Sequence, residues 1–202
     1  MKSNPESPEW VVDNVGKEGR AVLFKKWLSE ADANELFIFC SGLETKQHDF
    51  KWCGHSLKQK RLNWACGDAG TVHAFGGVDV PIHAWPPLLL AIRELLYATH
   101  GVYCNFCLVN DYPTGMYSIA PHSDGELHAK DKSVFTLSLG ATRTMQLTQG
   151  KEMKHQMHLE HGDLFLMSHN FQHFYKHGIA VEPLVCTRRI SLTFRSTLLH
   201  RA

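Results

Sequence analysis

Short apolar runs separated by turn residues dominate the second half of the chain. After Gly101, eight runs of strand length follow one another, punctuated by glycine, proline, asparagine and aspartate, and no segment of helical periodicity lies between them. The runs are CNFCLVN, MYSIA, SVFTLSL, TRTMQLT, MKHQMHL, DLFLM, HFYKH and RRISLTFR. Strands at this spacing are typical of an antiparallel sandwich or barrel. We therefore predict an eight-strand β core.

The first half of the chain predicts two helices that buttress this core. The run AVLFKKWL after Arg20 suggests a strand, and Ser29 then suits the cap of a helix of about EADANELFIFCSGL, which has acidic residues in its first turn. A second helix is predicted from Pro86 to His100, since prolines suit a first turn and a glycine follows the last residue. Residues 44–64 are polar, basic and aromatic by turns and predict an irregular hairpin or loop. Residues 1–18 are expected to form a flexible N-terminal arm.

Length and composition fit one ordinary globular domain over residues 19–202. The chain has 202 residues, a hydrophobic fraction of 44% and a net charge of +1, so its overall charge does not indicate a nucleic-acid binder, although a local patch could serve. No signal peptide and no apolar stretch long enough to span a membrane is evident. The six cysteines are therefore expected to be free thiols of an intracellular protein. We interpret the Cys104-x-x-Cys107 pair as packing residues, since no second pair follows at zinc-site spacing.

The residues most informative about chemistry are His122, Asp124 and His177. On a strand, positions two apart point to the same side, so His122 and Asp124 could hold one ion together. A third ligand from a distant strand would complete a two-histidine, one-carboxylate triad that leaves coordination positions open, as iron(II) oxygenases require. The H-x-D pattern by itself is weak, and alone it would favour a solvated loop.

The last predicted strand supports the metal hypothesis. Alternation places four polar residues on one face, opposite the apolar face of Ile190, Leu192 and Phe194. The four are Arg189, Ser191, Thr193 and Arg195. Two arginines inside a barrel would be costly unless they meet anions, and a dicarboxylate would supply two carboxylates. The alternative is an edge strand whose arginines face solvent.

Two further polar residues, Asn110 and Tyr112, repeat the two-residue spacing just before the H-x-D strand. An amide and a phenol there could donate hydrogen bonds to the same carboxylates. A turn at the end of a strand is an equally good interpretation, because asparagine, aspartate and the following Pro113 all favour turns.

Several blocks, in order and at matching spacing, resemble the AlkB family of iron(II)- and 2-oxoglutarate-dependent dioxygenases. The resemblance covers roughly residues 64–199. It is carried by GDAG at 67–70, NFCLVNDY at 105–112, HSDGE at 122–126, SLGA at 138–141, LEHGD at 159–163, FYKHGI at 174–179 and RRISLTFR at 188–195. It implies a mainly β (α+β) fold with a double-stranded β-helix, or jelly-roll, core at 102–202 and a nucleotide-recognition lid within 19–101.

The resemblance also implies how the site residues are used. His122, Asp124 and His177 would bind iron(II), and His177 is favoured over nearby histidines because the family's third ligand precedes a Gly-Ile pair. Arg189 would pair with the distal carboxylate of 2-oxoglutarate and Arg195 with the carboxylate near the metal. The assisting residues would be Asn110, Tyr112, Ser191 and Thr193. Ser191 departs from the family's asparagine, and a hydroxyl is shorter and offers fewer donors.

In this family a flipped base is clamped between an aromatic residue and the first iron-binding histidine. Phe75 is similar to that aromatic residue, and His73 lies beside it. Glu126 matches an acidic position that recognises a cationic base. The other interpretation of Phe75 is a core side chain.

The implied activity is oxidative demethylation of bases such as 1-methyladenine and 3-methylcytosine in single- or double-stranded DNA or RNA, with dioxygen as second co-substrate. The basic and aromatic residues within 44–64 would assist with stacking and phosphate contacts. We expect a monomer that does not associate with membranes. The alternative is a 2-oxoglutarate oxygenase of a protein or small molecule.

Overall fold

Two largely antiparallel β-sheets packed against each other form the centre of the protein. The computed structural model describes residues 1, 7–14, 19–52, 55–72, 74–75, 78–124, 133–168 and 170–197. The strands are β1 (Glu9–Asn14), β2 (Gly19–Phe24), β3 (Asp49–Trp52), β4 (His55–Lys58), β5 (Leu62–Gly67), β6 (Ala74–Phe75), β7 (Val78–Asp79), β8 (Ile82–His83), β9 (Phe106–Tyr112), β10 (Ile119–His122), β11 (Val134–Gly140), β12 (Arg143–Gln149), β13 (Glu152–Leu159), β14 (Leu164–Ser168), β15 (Lys176–Ile179) and β16 (Arg189–Arg195). The helices are α1 (Glu30–Ser41), α2 (Pro87–His100) and α3 (Phe171–Phe174).

The larger sheet has the strand order β1-β2-β14-β11-β16-β9-β5-β8, and the smaller has the order β10-β15-β12-β13. One buried cluster joins the two sheets, because Leu23 and Phe165 of the larger sheet pack with Met145, Leu147 and Ile179 of the smaller. The eight predicted strands are β9 to β16 in chain order, and the predicted jelly-roll core is confirmed.

The two predicted helices cover the outer face of the larger sheet. Helix α1 begins after Ser29, whose hydroxyl accepts a hydrogen bond from the backbone nitrogen of Asp32 at 3.2 Å. Helix α2 ends at Gly101, which adopts the left-handed conformation that glycine tolerates best. Each helix buries three residues that are three or four positions apart and therefore lie on one face of the helix. These residues pack with the apolar face of β16. They are Ala33, Leu36 and Cys40 in α1, and Leu89, Ile92 and Leu96 in α2.

Two local expectations are wrong. Residues 1–18 were expected to form a flexible arm, but β1 pairs with β2 and extends the larger sheet. The HFYKH run was expected to be one strand, but its first two residues end the short helix α3, and β15 begins only at Lys176. In both places strand pairing with residues outside the segment determines the conformation.

The described cysteines are free thiols. Cys104 and Cys107 both lie in the core cluster beneath the helices, as packing residues would. Among the described residues, no helix is both long and apolar enough to cross a membrane.

Candidate active site

Three potential metal ligands converge at the end of β10, a strand of the smaller sheet. The ligand atoms of His122, Asp124 and His177 all lie within 4.8 Å of one another. The Nε2 atom of His122 lies 3.5 Å from Oδ1 of Asp124, and Nε2 of His177 lies 3.8 Å from Oδ2. Two nitrogens and one carboxylate so close together, in a partly enclosed site, match the donor set of an iron(II) facial triad.

Strand pairing brings the two histidines together. His122 and His177 are direct partners across β10 and β15, with ring centroids 4.5 Å apart. The strands can approach this closely because Gly178 follows His177, and a Cβ at that position would lie 2.7 Å from the carbonyl oxygen of Ile119. The Nδ1 atom of His122 lies 3.1 Å from the carbonyl oxygen of Ala120. A hydrogen bond from Nδ1 would make Nε2 the ring nitrogen whose lone pair can bind a metal.

Asp124 reaches the site in a different way from that predicted. We expected His122 and Asp124 to share one face of a strand, but β10 ends at His122 and Asp124 lies beyond it. Its backbone nitrogen donates a hydrogen bond to Oε1 of Gln172 in α3 at 3.1 Å. The position of Asp124 is therefore fixed by a contact with α3 rather than by the pleat of a strand.

The electrostatics keep these groups in the forms that bind a metal. Burial would raise the pKa of Asp124, but Arg195, whose Nη1 lies 3.4 Å from Oδ1, and the two histidines hold that pKa well below its usual range. Burial lowers the pKa of His177 to about 3, and electrostatic interactions with His122 and Arg195 act in the same direction. At neutral pH the site therefore offers a carboxylate and a neutral imidazole.

The polar face of β16 lines the same cavity. Strand β16 lies between β11 and β9 in the middle of the larger sheet, so the edge-strand alternative is excluded. Arg189 is 0% exposed and Arg195 is 4% exposed, whereas Ile190, Leu192 and Phe194 pack under the helices on the other side. The cavity has about 440 Å³ of empty space, part of it open to solvent. The predicted residues that line it are Asn110, Tyr112, His122, Asp124, His177, Arg189, Ser191, Thr193 and Arg195.

Arg189 is a buried cation with unused donors. Its Nη2 donates to Oγ of Ser138 at 3.0 Å, and its guanidinium carbon lies 5.3 Å from the centre of the Tyr112 ring. Its Nε and Nη1 have no hydrogen-bond partner within the described part of the chain. Burial lowers its pKa to about 10, so it remains charged at neutral pH. Unpaired donors on a buried guanidinium suit an anionic partner such as a carboxylate.

Asn110 and Tyr112 belong to β9, not to a turn. The whole of β9 is buried, and Ser191 and Arg189 are their respective partners on β16. The Nδ2 of Asn110 donates to Oγ1 of Thr193 at 3.3 Å. These side chains therefore form a continuous polar surface with the face of β16.

Sequence reasoning misplaced two residues of the 44–64 segment, Arg61 and Trp64. Arg61 was expected to contact phosphates within a basic surface segment, but it is 5% exposed and lines the cavity near Asp124. Trp64, expected to stack on bases, lies in β5, packs on the core beneath the helices and stacks on His83 at 4.8 Å. The pairing of β5 with β9 places Trp64 against the core and Arg61, which directly precedes β5, at the cavity, and the sequence carried no signal of that pairing.

The predicted base-recognition residues are only partly described. His73 and Glu126 lie outside the described residues. The backbone of Phe75 belongs to β6, which pairs with β7 in a small separate sheet, but its side chain lies outside the described part. Their roles stay predictions.

The residues present fit both groups that an oxygenase of this type needs. The converging imidazoles and carboxylate have the composition of an iron(II) site. The unpaired donors of Arg189 have the chemistry of a carboxylate receptor on the opposite wall of the same cavity.

Comparisons with known proteins agree with this geometry. The sequence profile of the 2OG-Fe(II) oxygenase superfamily matches residues 20–195. The chain is 29% identical to the human DNA oxidative demethylase ALKBH2, over 96% of this chain and 79% of that protein. It is 28% identical to the mouse ALKBH2, over 96% of this chain and 86% of the relative.

Among solved structures, OsALKBH1 has a similar fold, with a TM-score of 0.60 and 20% sequence identity over 87% of this chain and 96% of that one. The relatives confirm the AlkB resemblance, and the profile spans most of the chain. The chain belongs to the 2OG-Fe(II) oxygenase superfamily and is an iron(II)- and 2-oxoglutarate-dependent dioxygenase of the AlkB type.

Proposed function

We propose that this enzyme removes methyl groups from alkylated bases in nucleic acid. The observation that carries the proposal is the similarity to DNA oxidative demethylases over nearly the whole chain. DNA is the favoured substrate, and 1-methyladenine and 3-methylcytosine are the favoured lesions. A 2-oxoglutarate-dependent oxygenase of a protein or small molecule is the alternative, because the same core serves many substrates.

The two walls of the cavity have separate tasks. His122, Asp124 and His177 would hold iron(II), and Arg189 would bind the distal carboxylate of 2-oxoglutarate. With dioxygen, the bound iron and 2-oxoglutarate supply the oxidation that yields succinate and carbon dioxide and releases the methyl group as formaldehyde. Arg195 lies beside Asp124 and would contact the carboxylate near the metal. Asn110, Tyr112, Ser191 and Thr193 complete the receptor as hydrogen-bond partners.

The target base must leave the stack to reach this cavity, which favours a flipped base or a single strand. Phe75, with His73 beside it, would stack on the extruded base, and Glu126 would complement its positive charge. Among the described side chains, those of the exposed strand β4 and of the neighbouring Lys60 offer cations for phosphates.

A panel of methylated DNA and RNA oligonucleotides, read by mass spectrometry, tests the substrate class. We expect loss of the methyl mass from 1-methyladenine and 3-methylcytosine in DNA, together with formaldehyde and succinate. Glu126→Gln should slow these cationic lesions more than neutral 1-methylguanine, because it removes a complementary charge. If succinate forms but no oligonucleotide loses mass, the alternative is correct. If Glu126→Gln slows all lesions equally, Glu126 does not recognise charge.

Phe75→Ala tests the base clamp. Losing one stacking contact costs roughly 1–3 kcal/mol, so demethylation should fall about tenfold or more. Succinate formation without nucleic acid should persist near the parent rate, because the metal and carboxylate receptors lie on other strands. Phe75→Tyr, which keeps the ring, is the matched control. A folded Phe75→Ala enzyme that demethylates at the parent rate would show that Phe75 does not clamp the base.

A further inference from the structure

Asn63, a buried residue behind the cavity wall, makes a direct contact with the proposed co-substrate receptor. It lies on β5 and pairs with Asn110 on β9. Its Nδ2 donates a hydrogen bond to Oδ1 of Asn110 at 2.9 Å. Asn63 is 4% exposed and does not line the cavity, whereas Asn110 does.

Backbone hydrogen bonds to Lys46 also hold Asn63, on the edge of its strand opposite β9. Its nitrogen donates to the carbonyl oxygen of Lys46 at 2.8 Å, and its carbonyl oxygen accepts from the nitrogen of Lys46 at 2.9 Å. Asn63 is thus held between two strand-like segments, and its side chain has little freedom to move away from Asn110. A contact made by a residue so constrained can determine the orientation of its partner.

This hydrogen bond decides which end of the Asn110 amide faces the cavity. An amide has an accepting oxygen and a donating nitrogen, and Asn63 engages the oxygen. The nitrogen of Asn110 is then directed toward Oγ1 of Thr193 and the polar face of β16. A donor in that direction suits a carboxylate, whereas the reversed amide would present an oxygen and repel it.

The orientation of the Asn110 amide matters more in this protein than in one that has a second asparagine opposite it. Ser191 is the direct partner of Asn110 on β16, where the AlkB pattern has asparagine. The serine hydroxyl is shorter and supplies one donor, so within this register pair Asn110 is the longer donor.

We propose that Asn63 is a positioning residue that fixes the Asn110 amide with its donor toward 2-oxoglutarate. The inference rests on the proposed role of Asn110 in co-substrate binding. It does not depend on the identity of the methylated substrate. Asn63 acts only through Asn110 and does not touch the co-substrate.

Asn63→Asp is the most direct test, because it keeps the size of the side chain and replaces the donor by an acceptor. We expect the dissociation constant of 2-oxoglutarate, measured by calorimetry with manganese(II) in the metal site, to rise about tenfold or more. The KM for 2-oxoglutarate in succinate formation without nucleic acid should rise equally, while kcat and metal affinity stay within twofold. Asn63→Ala should raise the dissociation constant less, since it frees the amide without reversing it.

The matched control is Asn105→Asp. Asn105 is a buried asparagine just before β9 whose side chain bonds Thr197, not Asn110. This variant should lower thermal stability without changing 2-oxoglutarate affinity. In an Asn110→Ala background, Asn63→Ala, which introduces no charge, should add no further loss, because the two residues act as one unit.

The proposal is overturned if folded Asn63→Asp binds 2-oxoglutarate within twofold of the parent. It is also overturned if the loss of 2-oxoglutarate affinity in Asn63→Ala adds fully to the loss in Asn110→Ala when the two substitutions are combined. Should Asn63→Asp fail to fold, Asn63→Ala decides on the same criterion. If Asn110→Ala itself leaves 2-oxoglutarate affinity unchanged, the proposed receptor is wrong and this inference fails with it. Oligonucleotide demethylation plays no part in these measurements, so a wrong substrate class would not affect them.

Discussion

Asp124→Ala is expected to abolish 2-oxoglutarate turnover. The substitution removes the carboxylate of the triad and leaves two histidines to hold the metal. Changes to residues that only support a ligand typically cost about 10- to 100-fold in metal affinity or activity, so loss of a ligand should exceed about 100-fold. His122→Ala should behave in the same way. Succinate formation with iron(II), ascorbate and 2-oxoglutarate is the measurement, with a separate metal titration for each variant.

The structure supplies a matched control for the histidine variant. His173 lies on α3 near the site but is exposed and does not line the cavity. His173→Ala should retain the parent rate and metal affinity. Full succinate formation by either Asp124→Ala or His122→Ala would refute the metal assignment. Because Asp124 also faces Arg195, thermal melts should accompany these assays.

Arg189→Ala is expected to raise sharply the concentration of 2-oxoglutarate that the enzyme needs. The variant leaves the distal carboxylate in a buried cavity without its cation. Removing one partner of a buried charge pair typically costs on the order of 2–5 kcal/mol, which corresponds to about 30-fold or more in KM or dissociation constant. The effect on kcat at saturation should be smaller, because the two histidine ligands are on the other sheet.

Two further variants separate charge from geometry. Arg189→Lys keeps the charge but loses the planar fork, so it should lie between the parent and Arg189→Ala. Arg20→Ala removes an arginine of the same sheet whose Nε pairs with Asp13 at the surface, and it should leave 2-oxoglutarate affinity unchanged. An unchanged affinity in folded Arg189→Ala would show that the unpaired donors serve another purpose.

The local features of this protein follow from its sequence. Alternation in RISLTFR placed the arginines on one face, and strand geometry makes that outcome independent of the rest of the fold. Ser29 and Gly101 marked helix boundaries because capping is a short-range interaction. The order and spacing of the motifs also identified the family before any strand pairing was known.

Other features were decided only by the tertiary structure. Arg61 points into the cavity, and Asn63 lies against Asn110, because β5 pairs with β9, a partner more than forty residues away along the chain. Asp124 joins the histidines from beyond the end of β10, where Gln172 accepts a hydrogen bond from its backbone, rather than through strand alternation. Residues 9–14 become a strand because β2 offers an edge to pair with. Propensity and periodicity describe a segment and its immediate neighbours, whereas the partner and register of a strand depend on side chains from distant parts of the chain.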